Sequence, residues 1–360
     1  MRPTRRDTLA LLAAALAGGM PRLARAESPT LAAAAAEAGI TFGTSIAGDT
    51  LADPAQAALY RREAAIFTVD YALKFGHLRP TEDAFETADA DAILAFAGST
   101  PVRGHTLAWN ESRPDWLMAL STAEKRKALD RHIDETAAYY AGRLHSWDVV
   151  NEPFWPGHGL PGGFRDGPWM EAFGEGYVER AFRRAGAADP HARLVLNEAM
   201  AERWDETGAA IRAGLLRLVD RLQDAGAPLD AVGLQGHLLP RYPHDDNGFA
   251  DFLGELATRR VDIYITELDA DDSTFPNDIP ARDAAVAARY RDFLAAVLTV
   301  PAVKMVITWQ LADSASWYEH AAREEDPDAT RLPRPLPFDA RFAPKPARDA
   351  MLGAFGRRRV

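Results

Sequence analysis

Trp147-Asp148-Val149-Val150-Asn151-Glu152-Pro153 decides how this chain is read. Apolar and β-branched residues run into an amide and a carboxylic acid, and a proline then stops the strand. The stretch reads as a buried strand that delivers Asn151 and Glu152 at its C-terminal end. A second stretch has the same design: Ile263-Tyr264-Ile265-Thr266-Glu267-Leu268-Asp269. Working outward, short apolar runs occupy residues 41–46, 66–71, 102–109, 145–152, 193–198, 231–237, 262–267 and 305–310. Helical periodicity marks 122–142, 169–185, 206–225 and 282–298, and 346–355 reads as a closing helix with proline in its first turn. Strands alternating with helices imply parallel βαβ units. Eight such units imply an α/β fold, a single-domain (β/α)8 TIM barrel with its chemistry at the C-terminal mouth of the strands. At 360 residues and 47% hydrophobic content, the chain suits one barrel plus an export segment.

Residues 1–26 read as that segment, a twin-arginine-type signal peptide. Thr4-Arg5-Arg6-Asp7-Thr8-Leu9 is followed by a weakly apolar run over 9–17 and by Ala24-Arg25-Ala26, a small-x-small cleavage motif. The mature catalytic domain is then residues 27–360, periplasmic or secreted. The apolar run is too short to span a bilayer, so no membrane partner is expected after cleavage. Five arginines and one aspartate give the segment +4, so its removal takes the net charge from −11 to −15. An acidic chain without a basic block argues against nucleic acid or anionic lipid as partner. It suits a monomeric enzyme acting on a neutral polysaccharide or oligosaccharide. The absence of cysteine excludes disulfides, thiolate nucleophiles and thiolate metal sites. The nine histidines show no ligand-type spacing, and the reading calls for no metal and no cofactor.

Two carboxylates at the ends of strands four and seven face each other across such a mouth. That pattern fits glycoside hydrolysis, in which one carboxyl protonates the leaving oxygen and the other attacks or directs water. Retention needs the pair roughly 5–5.5 Å apart, and inversion roughly 6.5–9.5 Å. Facing strand ends favour retention. The acid must hold a proton near neutrality, which predicts a raised affinity for it at one glutamate. Long loops at 154–168 and 312–337 would overhang the mouth, with Glu324-Glu325-Asp326 in a solvated loop.

The ordered blocks resemble glycoside hydrolase family 10, the retaining endo-β-1,4-xylanases. They are Gly104-His105-Thr106-Leu107-Ala108-Trp109, Trp147 to Glu152, Gly233-Leu234-Gln235-Gly236-His237, Ile265 to Asp269, and Asp313-Ser314-Ala315-Ser316-Trp317. Phe182-Arg183-Arg184-Ala185 and Ala343-Pro344-Lys345-Pro346-Ala347 match as well. The resemblance spans about residues 38–357. It implies Glu152 as acid/base and Glu267 as nucleophile. It implies His237 as the nucleophile's hydrogen-bond partner, Asp269 behind that histidine, and Asn151 at the sugar 2-hydroxyl. Lys74, His105, Trp109, Gln235, Trp309 and Trp317 would line the glycone side, with Asp148 structural.

Several substrate-contacting positions depart from the family pattern. Asp70 and Tyr71 replace a glutamate and an asparagine at the second glycone sugar. Asn110 replaces a histidine, and Ser112 a glutamine. Asn197-Glu198-Ala199-Met200 lacks the tyrosine that would stack under the first aglycone sugar. Asp70, Tyr71 and Asn110 are therefore expected in a rebuilt substrate site. Linear xylan is the leading substrate. Decorated xylan, another β-1,4-glycan, transglycosylation, or a weakly active sugar-binding role on the same fold remain as alternatives.

Overall fold

The computed structural model describes residues 29–358, and the signal peptide expected at 1–26 lies outside them. Eight strands form the fold: β1 (Thr41–Ile46), β2 (Ile66–Val69), β3 (Val102–Trp109), β4 (Ser146–Asn151), β5 (Arg193–Glu198), β6 (Ala231–Leu234), β7 (Asp262–Ala270) and β8 (Val303–Thr308). Each pairs in parallel with the next. β8 returns to β1 through Thr41↔Met305 and Phe42↔Val306, which closes the ring. The expected (β/α)8 barrel is the fold observed.

The strands are buried along almost their whole length, since helices cover one face and barrel side chains the other. That is why they read as continuous apolar runs. Ile66, Val195, Ala231, Tyr264, Met305 and Ile307 pack together inside the barrel. The larger core lies between strands and helices. Gly104 makes room for the fully buried Trp147, whose ring would lie 2.2 Å from any Cβ placed there.

The helix expected at 122–142 is Thr122–Tyr139, opened by a reciprocal Ser121/Glu124 capping box. Asp205 caps Glu206–Asp224, and Asp278 caps Ile279–Val297. Pro346–Arg357 carries its proline in the first turn.

Three expectations are corrected. The helix at 169–185 is two, Pro168–Phe173 and Gly176–Ala188, because Gly174 at φ 60° breaks the run. The sixth strand stops at Leu234, and Gly236 at φ 75° swings the chain so that His237–Leu238 pairs with Asp269 and Ala270 on β7. The loop at 312–337 contains a helix, Trp317–Glu325, capped by Ser316. Glu324 and Glu325 therefore end a helix, although they and Asp326 are exposed as expected.

Candidate active site

Glu152 leaves the end of β4 at φ +50°. In a regular strand, neighbouring side chains point to opposite faces. The left-handed residue breaks that alternation, and both Asn151 and Glu152 line one cleft of about 360 Å³ at the strand C-termini. A cleft of this size lies at the lower end of the range for small-ligand sites. Gln235, His237 and Glu267 complete its floor.

Glu267 is buried near the end of β7. Its Oε1 accepts a hydrogen bond from Asn197 Nδ2 at 2.7 Å, and its Oε2 lies 3.3 Å from His237 Nε2. Burial alone would raise this carboxyl. The His237 hydrogen bond, the positive fields of His105 and His237 and the Asn197 amide outweigh it and hold Glu267 below the ordinary carboxylate range. His237 Nδ1 lies 2.9 Å from Asp269 Oδ2. Burial works against the imidazolium, but Asp269 and Glu267 on either side push His237 well above its ordinary value. Asp269 in turn accepts from Trp317 Nε1 at 2.9 Å.

Glu152 is held by three donors. Trp109 Nε1 reaches Oε2 at 3.1 Å, Gln235 Nε2 reaches Oε1 at 2.8 Å, and Arg165 Nη2 lies 2.9 Å from Oε2. Arg165 also donates from Nε to the Glu152 carbonyl at 3.0 Å and from Nη1 to Glu111 at 2.8 Å. Behind them sits Glu198, whose oxygens accept from the backbone N–H groups of Phe154 and Ala199. Burial, and then the charge of Glu152, push Glu198 well above the ordinary range.

The wall carries the remaining predicted residues. Lys74 Nζ lies 5.2 Å from the Trp109 ring centre, 5.6 Å from Tyr71 and 6.0 Å from Trp309. It is also 3.7 Å from Asp70 Oδ1. His105 Nδ1 lies 2.9 Å from Asp148 Oδ2, and Arg103 pairs with the other oxygen of that aspartate. Asp148 is thus a buried anchor, as read from the sequence. Trp309 meets His105 edge-on.

A family model for glycosyl hydrolase family 10 matches residues 30–354. The chain belongs to glycosyl hydrolase family 10. It is 34% identical over 340 residues to endo-1,4-beta-xylanase A of Cellvibrio japonicus, covering 86% of this chain and 53% of that one. It therefore spans about half the length of that relative. It is 29% identical over 316 residues to endo-1,4-beta-xylanase 3 of Hypocrea jecorina, covering 87% of this chain and 81% of the other. Among solved structures, xylanase 10B of Thermotoga petrophila in complex with xylobiose superposes with a TM-score of 0.80 at 26% identity, over 91% of this chain and 98% of that one.

Within this family 10 barrel, all but three of the predicted residues meet at the cleft. Asp269 stands behind His237, as expected of it. Tyr71 sits on the outer rim, more than half exposed. Asn110 is corrected: it is fully buried, its Oδ1 accepts from Trp169 N at 3.1 Å, and its Nδ2 lies 3.4 Å from Tyr177 OH. It braces the start of helix Pro168–Phe173 and does not face the cleft.

Two residues were missed. Asn197 Nδ2 donates to both Glu267 and Asn151 Oδ1, the latter at 2.9 Å, while its Oδ1 accepts from Thr266 Oγ1 at 2.7 Å. Its signal was present, because it is a strand-end amide like Asn151. Arg165 had none, being one arginine in a glycine-rich loop. Among the described residues no cluster of ligating side chains could hold a metal, and no helix is long and apolar enough to cross a membrane.

Proposed function

We propose that this protein is a retaining endo-β-1,4-xylanase, with Glu267 as nucleophile and Glu152 as acid/base. One observation carries the reading. A buried carboxylate, kept anionic by His237 and Asn197, shares a cleft with a second carboxyl gripped by Trp109, Gln235 and Arg165. In the first step Glu267 attacks the anomeric carbon, the glycosidic C–O bond breaks, and Glu152 gives its proton to the departing oxygen. In the second, Glu152 takes a proton from water, whose oxygen attacks the same carbon and releases Glu267. Asn151, on the cleft floor, would meet the sugar 2-hydroxyl. His237, backed by Asp269, holds the nucleophile's orientation and charge. The relatives named for endo-1,4-xylanase activity support the bond type. Export through residues 1–26 and a monomeric mature chain belong to the same proposal, on the sequence alone.

The rebuilt rim favours a second substrate reading. Tyr71 is exposed, its ring edge-on to His77 and close to Lys74, and neither Ala199 nor Met200 brings an aromatic ring to the end of β5. Decorated xylan fits that openness better than a site tuned to a bare chain. Net transglycosylation would use the same intermediate. A pure binding role is disfavoured because the acid, nucleophile and histidine are all in place.

The test is proton NMR of the first product formed from xylo-oligosaccharides by residues 27–360, beside decorated xylan, mixed-linkage β-glucan and cello-oligosaccharides. The β-anomer should appear first. Glu267→Ala should lose on the order of 10⁴-fold in kcat or more. Initial α-anomer would sink retention, and full activity in the variant would sink the nucleophile. Turnover confined to another glycan would replace xylan as substrate. Silence on every glycan, with sugar still bound, would favour the binding role.

A further inference from the structure

We propose that Glu198 is a positioning residue for Glu152: its carboxyl bridges the exits of β4 and β5 and so fixes the angle at which the acid/base enters the cleft. The inference rests on the assignment of Glu152 as acid/base. It adds a residue outside the cleft on which proton donation to the leaving group depends.

Glu198 is the last residue of β5 and is fully buried. It does not line the cleft, and no step of the proposed reaction uses it. Burying an ionisable carboxyl is costly unless its oxygens are bonded. Here both are. Oε2 accepts from Phe154 N at 3.1 Å, and Oε1 accepts from Ala199 N at 2.8 Å. Glu202, further along the same segment, is buried as well, yet neither of its oxygens has a partner among the described residues. The two bonds of Glu198 thus follow from its position, not from burial.

The bonded donors sit where the sheet comes apart. β4 and β5 pair in parallel up to Asn151↔Asn197. Glu152 N still finds a backbone acceptor, Asn197 O, at 2.9 Å. Pro153 has no N–H, so Phe154 N is the next donor of the chain. Phe154 is buried, and its N–H goes to the Glu198 side chain. On the other strand, Ala199 N does the same. The carboxyl takes over where the ladder stops, and it ties the turn after Glu152 to β5.

Glu152 needs that tie. It sits at φ +50°, and a non-glycine residue holds such a backbone only where its surroundings over-determine it. Arg165 restrains the Glu152 carbonyl through Nε at 3.0 Å and the Pro153 carbonyl through its N–H at 2.7 Å. Those two bonds come from the far end of the 154–165 hairpin and move with it. Asn197 O and the Glu198 carboxyl come from the barrel itself. Of these restraints, Glu198 alone is a barrel side chain. Its chemistry also suits its neighbour. Burial, and then the charge of Glu152, favour its uncharged form, with the Ala199 N–H, Arg165 and the Phe154 N–H working the other way. The clamp therefore tends not to set a second negative charge beside the group that hands over a proton.

The experiment compares two substrates with the same glycone in the mature protein. Phenyl β-xylobioside has a poor leaving group that needs the acid. 2,4-Dinitrophenyl β-xylobioside has a good one that does not. Glu198→Leu keeps most of the volume and removes both acceptors. Its kcat/KM on the phenyl substrate should fall about tenfold or more, because general acid catalysis depends on placement. On the dinitrophenyl substrate kcat/KM, which reports only the steps up to the glycosyl-enzyme, should change by less than about twofold. Glu152→Ala, run in parallel, should show the same pattern with a larger fall. Thermal melts check folding, and Glu198→Ala serves as a second acceptor-free variant if the leucine one fails to fold. An equal fall on both substrates overturns the inference, because Glu198 would then only support the shape of the site. Unchanged values on both overturn it too, and in either case the Glu152→Ala pattern leaves the acid/base assignment standing. If Glu152→Ala itself fails to separate the two substrates, that assignment fails and takes this inference with it.

Discussion

The floor of the cleft and its rim obey different rules. On the floor, Asn151, Asn197, Glu267 and Asp269 are almost completely buried and each is hydrogen-bonded to a neighbour. On the rim, Tyr71 and Trp317 are 59% and 43% exposed and can exchange protein contacts for water. A buried group that loses its partner costs about 1–3 kcal/mol, and more if it is charged. An exposed one costs little. The floor can therefore hold one chemistry against drift while the rim is rebuilt for another substrate. The departures from the family pattern are of two kinds: Asp70 and Tyr71 lie on the wall and rim, whereas Asn110 and Ala199 are buried away from the reacting carboxylates. None falls on Glu152, Glu267, His237 or Asn151.

The hardest blow to this contrast is Asn197→Asp. The swap is nearly isosteric, but it removes the donor shared by Glu267 and Asn151 and sets a second buried carboxylate against the nucleophile. A fall in kcat of about a hundredfold and a loss of several degrees in Tm are expected. Steady-state kinetics with a thermal melt checks both, and wild-type values would show that the floor is not a coupled network.

A smaller effect sharpens the boundary. Glu202 lies just behind the floor with neither carboxyl oxygen hydrogen-bonded among the described residues, and burial pushes it up to about 7. A carboxyl raised in the folded state binds its proton more tightly there than in the unfolded chain. It therefore removes stability as pH climbs from its ordinary 4.5 through about 7. Glu202→Gln, neutral at every pH, should melt higher than wild type at pH 8, with the gap closing near pH 4. Parallel Tm profiles would contradict this. Glu267 and His237 shape the same profile in other ways. The lowered Glu267 stabilises above 4.5 and loses that contribution as pH falls through its depressed value. The raised His237 contributes fully below 6.5 and loses it as pH rises through its elevated value.

The smallest effect belongs to the rim. Tyr71→Ala should raise KM for xylo-oligosaccharides by about two- to threefold with kcat unchanged, because an exposed ring adds binding without touching the reacting atoms. A matching fall in kcat would place Tyr71 in the transition state and blur the contrast.

The barrel was legible in the sequence because parallel strands buried on both faces leave unbroken apolar runs, and because Pro153 marks where β4 ends. The two glutamates were legible because each stands at the end of such a run. What escaped depended on distant or local geometry that composition does not carry. Gly174 breaks a helix whose periodicity continues across it, and Gly236 moves His237 onto β7. Asn110 was expected in the cleft because it stands where the family pattern has a substrate-contacting histidine, yet its amide is consumed by Trp169 and Tyr177. Arg165 gains its importance only when the 154–165 hairpin folds back on Glu152.

The left-handed turn at Glu152 has company. Met200 at φ 58° and Gln310 at φ 75° leave β5 and β8 in the same way, so three of the five such non-glycine residues among those described ring the mouth. Each costs roughly 1–2 kcal/mol, against a typical folding stability of about 5–15 kcal/mol. The mouth is thus where heat tolerance and catalytic work are set against each other. Of the three, Met200 alone lies outside the cleft and its hydrogen-bonded wall, so its strain is the part of the mouth not committed to the chemistry, and its side chain, packed against the core, is what holds it there.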